Sequence, residues 1–271
     1  MLKVNRIALL AGTGLLASSL VWPSVAMAGS KVAQPPASVG IAVTLALPAS
    51  VRDAHFVDQN GRPQTLGGLK GKTVFIVPLL TLCGDTCPFT TGNLIQLQSR
   101  LDAARMKNVE VVAVDVDPYR DTLKRIRAYV KVSGANFQLW TETGPTSLPK
   151  APHSSGFGTG DRNANLTAIE KFFGWTVEVA AQGTPPDRDW MAPYEKLTYD
   201  INHTDGFWVV NASQQVRFVS GTKPAFTGVL SKALATFMGY KSNIYKAAVY
   251  KGGWTAPEAT QAIEWVMQSK M

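Results

Sequence analysis

The sequence of 271 residues has little of what usually carries covalent or metal chemistry: two cysteines and three histidines in all. Charged side chains are also sparse at 17%, and Lys and Arg never run more than two in a row. So few cysteines exclude a disulfide-stapled small scaffold. An apolar share of 45% excludes a disordered chain and is enough to bury a sizeable core. The net charge of +8 is scattered, which argues for solubility and against nucleic acid as a partner. Scattered positive charge also suits an acidic partner or peripheral association with an anionic membrane surface. Beyond residue 20 no stretch approaches the ~18 uncharged apolar residues of a spanning helix. Internal repeats and His- or Met-rich tracts are lacking too.

Residues 1–28 have the pattern of an export signal. Lys3 and Arg6 form the basic start, Ile7 to Leu20 the apolar stretch, and Ala26-Met27-Ala28 the small-x-small cleavage site. Gly12, Thr13, Gly14, Ser18 and Ser19 dilute the apolar stretch and Pro23 follows it, which favours cleavage over retention as an anchor. The mature chain is expected to begin at Gly29 and to work in the periplasm or another extracytoplasmic space. No cysteine follows the cleavage site, which argues against a lipoprotein. Disulfides persist in such a compartment. Yet Cys83 and Cys87 are only four apart, and a bridge between them closes too small a loop to add much stability. Chemistry is the better reason for keeping them.

Residues 29–52, rich in Ala, Pro and Val without a clear period, read as a flexible tether, and 53–271 as one domain. Asn60-Gly61 marks a tight turn in an N-terminal hairpin over His55 to Leu66. Thr73 to Val77 is a continuous apolar run, the pattern of a strand buried on both faces, and Val109 to Val116 reads as a second buried strand. Between them Leu94, Leu97 and Leu101 give one apolar face to a helix. Asp117-Pro118 is a helix-start signal, and Leu123, Ile126 and Val130 stripe the helix it would open. A third strand is expected over Phe137 to Thr141, then a loop over 144–160. A short helix capped by Asn165 follows, ending at Gly174. A loop from Gln182 to Arg188 precedes a hairpin of Phe207 to Val210 and Val216 to Val219 around Asn211 to Gln215. Two helices form a C-terminal extension, near Val229 to Met238 and after the capping-box pattern Thr255-Ala-Pro-Glu258. This order of elements predicts an α/β fold with a mixed central sheet, flanking helices and an added N-terminal hairpin.

Cys83-Gly-Asp-Thr-Cys87-Pro88 falls at the junction of a buried strand and a helix. Residues four apart share a helix face, so the sulfurs can close a disulfide or converge on one metal ion. Free N–H groups at a helix start favour thiolate over thiol. Pro88 suits the first turn, where its missing N–H costs nothing. Thiolates with imidazole suit Cu, Zn or Fe rather than Mg or Ca. The histidines are His55, His153 and His203. His55 starts the first hairpin and His153 lies in a loop, so both are ordinary surface positions. His203 precedes the second hairpin, which should line the strand ends near the cysteines.

With these motifs in order, the chain resembles the Sco/SenC family of copper-binding, thioredoxin-fold proteins. The resemblance runs from about residue 55 to residue 220. It rests on Asp58-Gln-Asn-Gly-Arg-Pro63, Thr81-Leu-Cys-Gly-Asp-Thr-Cys-Pro88, Val114-Asp-Val-Asp-Pro-Tyr-Arg-Asp-Thr122 and Tyr199-Asp-Ile-Asn-His-Thr204. It implies a thioredoxin-like fold and one copper ion, Cu(I) or Cu(II), held by Cys83, Cys87 and His203. It also implies a role in building the Cu-A centre of cytochrome c oxidase, as copper donor, as reductant of target cysteines, or both. The partner would be the Cu-A subunit or another copper or thiol client. Asp85, Asp117 and Arg120 match family positions, with helix capping and surface pairing as their ordinary roles. The chain departs from the family at Gly84, Asn202 and Leu123, and the segment 144–197 matches poorly. The alternative is an extracytoplasmic thiol-disulfide oxidoreductase in which Cys83 and Cys87 are the catalytic redox pair. It needs no histidine, whereas metal transfer does.

Overall fold

The structure is a computed structural model that describes residues 32–142, 164–226, 228–238 and 253–269. The signal segment and the whole 144–160 loop, with His153, lie outside the described residues. The N-terminal part holds β1 (Ile41–Ala46), α1 (Ala49–Arg52), β2 (Phe56–Asp58) and β3 (Pro63–Gln64). The centre holds β4 (Thr73–Leu79), α2 (Cys87–Ala103), β5 (Val109–Asp115), α3 (Leu123–Ser133) and β6 (Gln138–Thr141). After these come α4 (Ala164–Phe173), β7 (Val177–Ala180), β8 (Arg188–Asp189), β9 (Ala192–Lys196) and β10 (Asp200–His203). The chain ends with β11 (Phe207–Val210), β12 (Gln215–Ser220), α5 (Lys232–Phe237) and α6 (Ala256–Gln268).

An eight-stranded sheet in the order β1-β12-β11-β4-β5-β6-β2-β3 organises the molecule. Every residue of β4 is buried, as its unbroken apolar run requires. β4 and β5 run parallel and are joined by α2, whereas β11 and β12 run antiparallel beside β4. A β-α-β unit extended by a hairpin and a last helix, α6, is the thioredoxin-like arrangement, and it puts the start of α2 at the carboxyl end of β4. Leu94, Leu97 and Leu101 of α2 are buried, and Ala256, Ala259, Ala262 and Ile263 of α6 pack into the same core. The small side chains of α6 let the two helices approach closely.

The Asn60-Gly61 hairpin forms as predicted, with Gly61 at φ +80. Both hairpin strands around Asn211 to Gln215 and the capping box at Thr255 and Glu258 also form. Three expectations need correction. Residues 41–52 are not tether: β1 pairs antiparallel with β12 at the sheet edge, and α1 follows. Gly40 admits that edge, because a Cβ there would stand 2.3 Å from the Val219 carbonyl oxygen. The helix after Asp117-Pro118 begins only at Leu123, with the Thr122 side chain accepting from the Arg125 N–H. Asp117 is diverted because Arg120 and Tyr199 occupy its carboxylate. Asn165 lies within α4 instead of capping it, accepting from the His55 N–H and donating to Glu142.

Candidate metal centre

Cys83 sits in the loop leaving β4 and is half-buried, while Cys87 is the first residue of α2 and is buried. Both thiols are free. The loop is short because the parallel β4-α2-β5 crossover must return the chain onto the sheet, and this brings the sulfurs to one end of the helix. Thr86, at the N-cap, gives its hydroxyl to Asp205 (2.7 Å) instead of capping α2.

His203 arrives by a route that local pattern did not reveal. It ends β10, which pairs with β7 in a two-stranded ribbon outside the main sheet, His203 opposite Val177. Arg120 holds the ribbon's root: its Nη1 donates to the Tyr199 carbonyl (2.6 Å) and its guanidinium lies 3.7 Å over the Tyr199 ring. The Tyr199 hydroxyl donates in turn to Asp117 (2.9 Å). Asp117 and Arg120 therefore fix the strand that carries His203, not a helix end or a surface pair.

The Nε2 atom of His203 stands 3.2 Å from the Cys87 sulfur, and its Nδ1–H donates to the Thr204 carbonyl (2.9 Å). That hydrogen bond puts the proton of the neutral ring on Nδ1 and leaves the Nε2 lone pair facing the thiols. The donor atoms of Cys83, Cys87 and His203 all lie within 4.8 Å of one another. Small side-chain rotations let three such atoms share one ion at bonds of roughly 2.0–2.3 Å. Among the described residues no other group of three His, Cys, Asp or Glu side chains comes so close together. His55 is well removed, its backbone tied to α4. Asp85 is exposed beside the cysteines, where it lines the cleft.

The two thiols are electrostatically unequal. A hydrogen bond from the Cys87 thiol, with help from His203, holds the Cys83 pKa well below the usual thiol value despite its burial. Burial, reinforced by the charge on Cys83, pushes the Cys87 thiol well up. Burial disfavours the charged imidazole of His203, but the Cys83 thiolate outweighs it and raises the ring's pKa. Of the two thiols Cys83 is thus the more acidic, because burial of Cys87 overrides the helix dipole there.

A cleft of about 710 Å³ opens beside these groups. Trp190, Phe237 and Met238 form its apolar side, and Asp85, Asp187, Asp200 and Asp205 make much of the rest acidic, with Arg188 and Lys223 between. The apolar side was not anticipated, since Trp190 belongs to the poorly matching segment and Phe237 to the C-terminal extension.

Fold and site together define a thioredoxin-like protein with a two-thiol, one-imidazole centre at the end of its first crossover helix. The profile of the SCO1/SenC family matches residues 48–230, and the chain belongs to that family. A Stutzerimonas stutzeri protein described as copper-binding is 30% identical over 125 residues, covering 45% of this chain and 58% of the relative. The SCO1 protein homolog of Bacillus subtilis is 28% identical over 85 residues, covering 31% and 44%. The matches thus span less than two thirds of these relatives' own lengths. Among solved structures, copper-bound ScoI of Arabidopsis thaliana aligns with a TM-score of 0.46 at 14% identity, over 73% of this chain and 94% of that one.

Proposed function

We propose that this chain is an exported copper metallochaperone that carries one copper ion on Cys83, Cys87 and His203. Its recipient is the Cu-A centre of cytochrome c oxidase. The observation that carries the reading is the convergence of two sulfurs and one imidazole nitrogen, all within 4.8 Å of one another, beside an open cleft. Thiolate and imidazole form a soft set suited to copper. A closed structural zinc site has four protein ligands. Three leave a coordination position through which an incoming client ligand can take the ion. The description of the Stutzerimonas stutzeri relative as copper-binding and the motif resemblance both support copper as the cargo.

Reduced, purified protein is expected to hold one copper per chain, and the Cys83→Ser/Cys87→Ser variant none. Undiminished copper in that double variant ends the assignment. His203→Ala keeps both thiols, so it should still form and exchange a disulfide while losing copper affinity and transfer to an isolated Cu-A domain.

The unequal acidity of the two thiols favours a second reading, disulfide exchange, with Cys83 attacking and Cys87 resolving. Full oxidase activity in cells carrying His203→Ala, with loss in the cysteine double variant, would select it.

A further inference from the structure

Thr81 opens the loop that carries Cys83, and side chains from distant elements hold all of its polar groups. Its N–H donates to Asp121 Oδ2 (2.8 Å) and its hydroxyl donates to Asp121 Oδ1. The same hydroxyl accepts from Arg125 Nε (2.7 Å), and the Thr81 carbonyl accepts from Trp190 Nε1 (2.7 Å). Arg125 also grips both carboxylate oxygens of Asp189, the residue before Trp190, with Nη2 3.0 Å from Oδ1. Thr81 is only 1% exposed, so water cannot easily replace a lost partner.

The Trp190 ring extends this grip to the other side of the cysteine pair. It stacks on Phe237 of α5, with centroids 4.6 Å apart, and meets Tyr129 of α3 edge-on at 5.8 Å. The Tyr129 hydroxyl lies 2.6 Å from Thr91 Oγ1, one turn beyond Cys87 in α2. Phe237 in turn covers Gly84, where an added Cβ would stand 3.5 Å from the ring. Trp190 thus binds the backbone just before Cys83 and reaches, through Tyr129, the helix just after Cys87.

We propose that Trp190 and Arg125 are positioning residues that set the separation and orientation of the Cys83 and Cys87 sulfurs. Only Leu82 to Thr86 separate the held root from α2, and Gly84 makes this span permissive, so the fixed position of Thr81 decides where Cys83 points. Without the indole donor, a buried carbonyl lacks its partner, and the loop recovers a hydrogen bond only by moving. The copper part of this inference rests on the metallochaperone reading, whereas the thiol part does not.

The test uses full-length mature protein with Trp190→Phe, which keeps the stacked ring but removes the N–H, and Arg125→Lys, which keeps the charge but loses the fork. Copper(I) affinity is measured by competition with a chelator. The dithiol–disulfide constant of the metal-free protein is measured against dithiothreitol redox buffers. Each variant is expected to bind copper(I) about tenfold or more weaker, the scale on which supports of metal ligands act. Each should also move the exchange constant away from the wild-type value, because the sulfur separation and orientation govern how readily the disulfide closes. An Ile263→Val control in the buried face of α6 should lower the melting temperature and leave both readouts unchanged. Wild-type values of both readouts in both variants would overturn the inference, whatever their melting temperatures. A shifted exchange constant in a protein that binds no copper in any form would instead uphold the clamp and end the copper reading.

Discussion

Asp115, Asp117 and Asp121 are buried beneath the cysteine loop, and each has its own set of donors. Asp115 accepts from the Asp117 N–H and the Thr141 hydroxyl, Asp121 from Thr81, and Asp117 from Arg120 and Tyr199. Burial raises Asp117 to about 7 even though Arg120 pulls it down. Burial also raises Asp115 well above the usual carboxylate range, and its two acidic neighbours add to the effect. Unfolded, such groups titrate near 3.9. Between about pH 4 and pH 7 the folded chain therefore holds a proton at Asp117 that the unfolded chain has released. Its contribution to stability is present below pH 4 and is lost as pH rises toward 7. Asp117→Asn should reduce the fall in melting temperature across that window, as followed by calorimetry at half-unit pH steps. An unchanged slope would show that Asp117 is ionised throughout.

At the scale of elements, α2 links the site to the core. Its first residue is a metal-ligand candidate, and its middle is packed so tightly that Gly92 is required there. A Cβ on Gly92 would lie 2.5 Å from Phe226 Cε2 and 2.9 Å from Leu230 Cδ2, both on buried side chains of the segment after β12. Phe226 also lies beside Phe89 of α2, with centroids 6.3 Å apart. Gly92→Val is expected to destabilise the fold by about 1–3 kcal/mol through overpacking. Urea unfolding would register it as a lower midpoint at unchanged slope. A midpoint equal to wild type would mean that Phe226 and Leu230 yield without loss and do not brace the helix.

For the whole molecule, we expect export with cleavage after Ala28, from the basic start, the apolar stretch and the Ala26-Met27-Ala28 site. Mass spectrometry of protein recovered from the producing cells should find Gly29 as the first residue. Intact Met1 on membrane-bound material would contradict it. Local sequence determined much of the architecture. The apolar run of β4 and the valine-rich β5 read as buried strands, Asn60-Gly61 as a tight turn, and Thr255 with Glu258 as the cap of α6. The four-residue cysteine spacing likewise needed no tertiary partner to be recognised. Tertiary structure alone decided the rest. β7, β8 and β10 are short, and β1 and β9 are largely exposed, so their burial leaves little periodicity to detect. Apart from the local β8-β9 pair, they exist because distant chain supplies their hydrogen bonds. That is how His203 reaches Cys87, why Asp117 serves Tyr199 instead of a helix end, and why Trp190 comes to hold Thr81. It also decided which thiol is the more acidic, because the spacing treats Cys83 and Cys87 alike and only their unequal environments separate them.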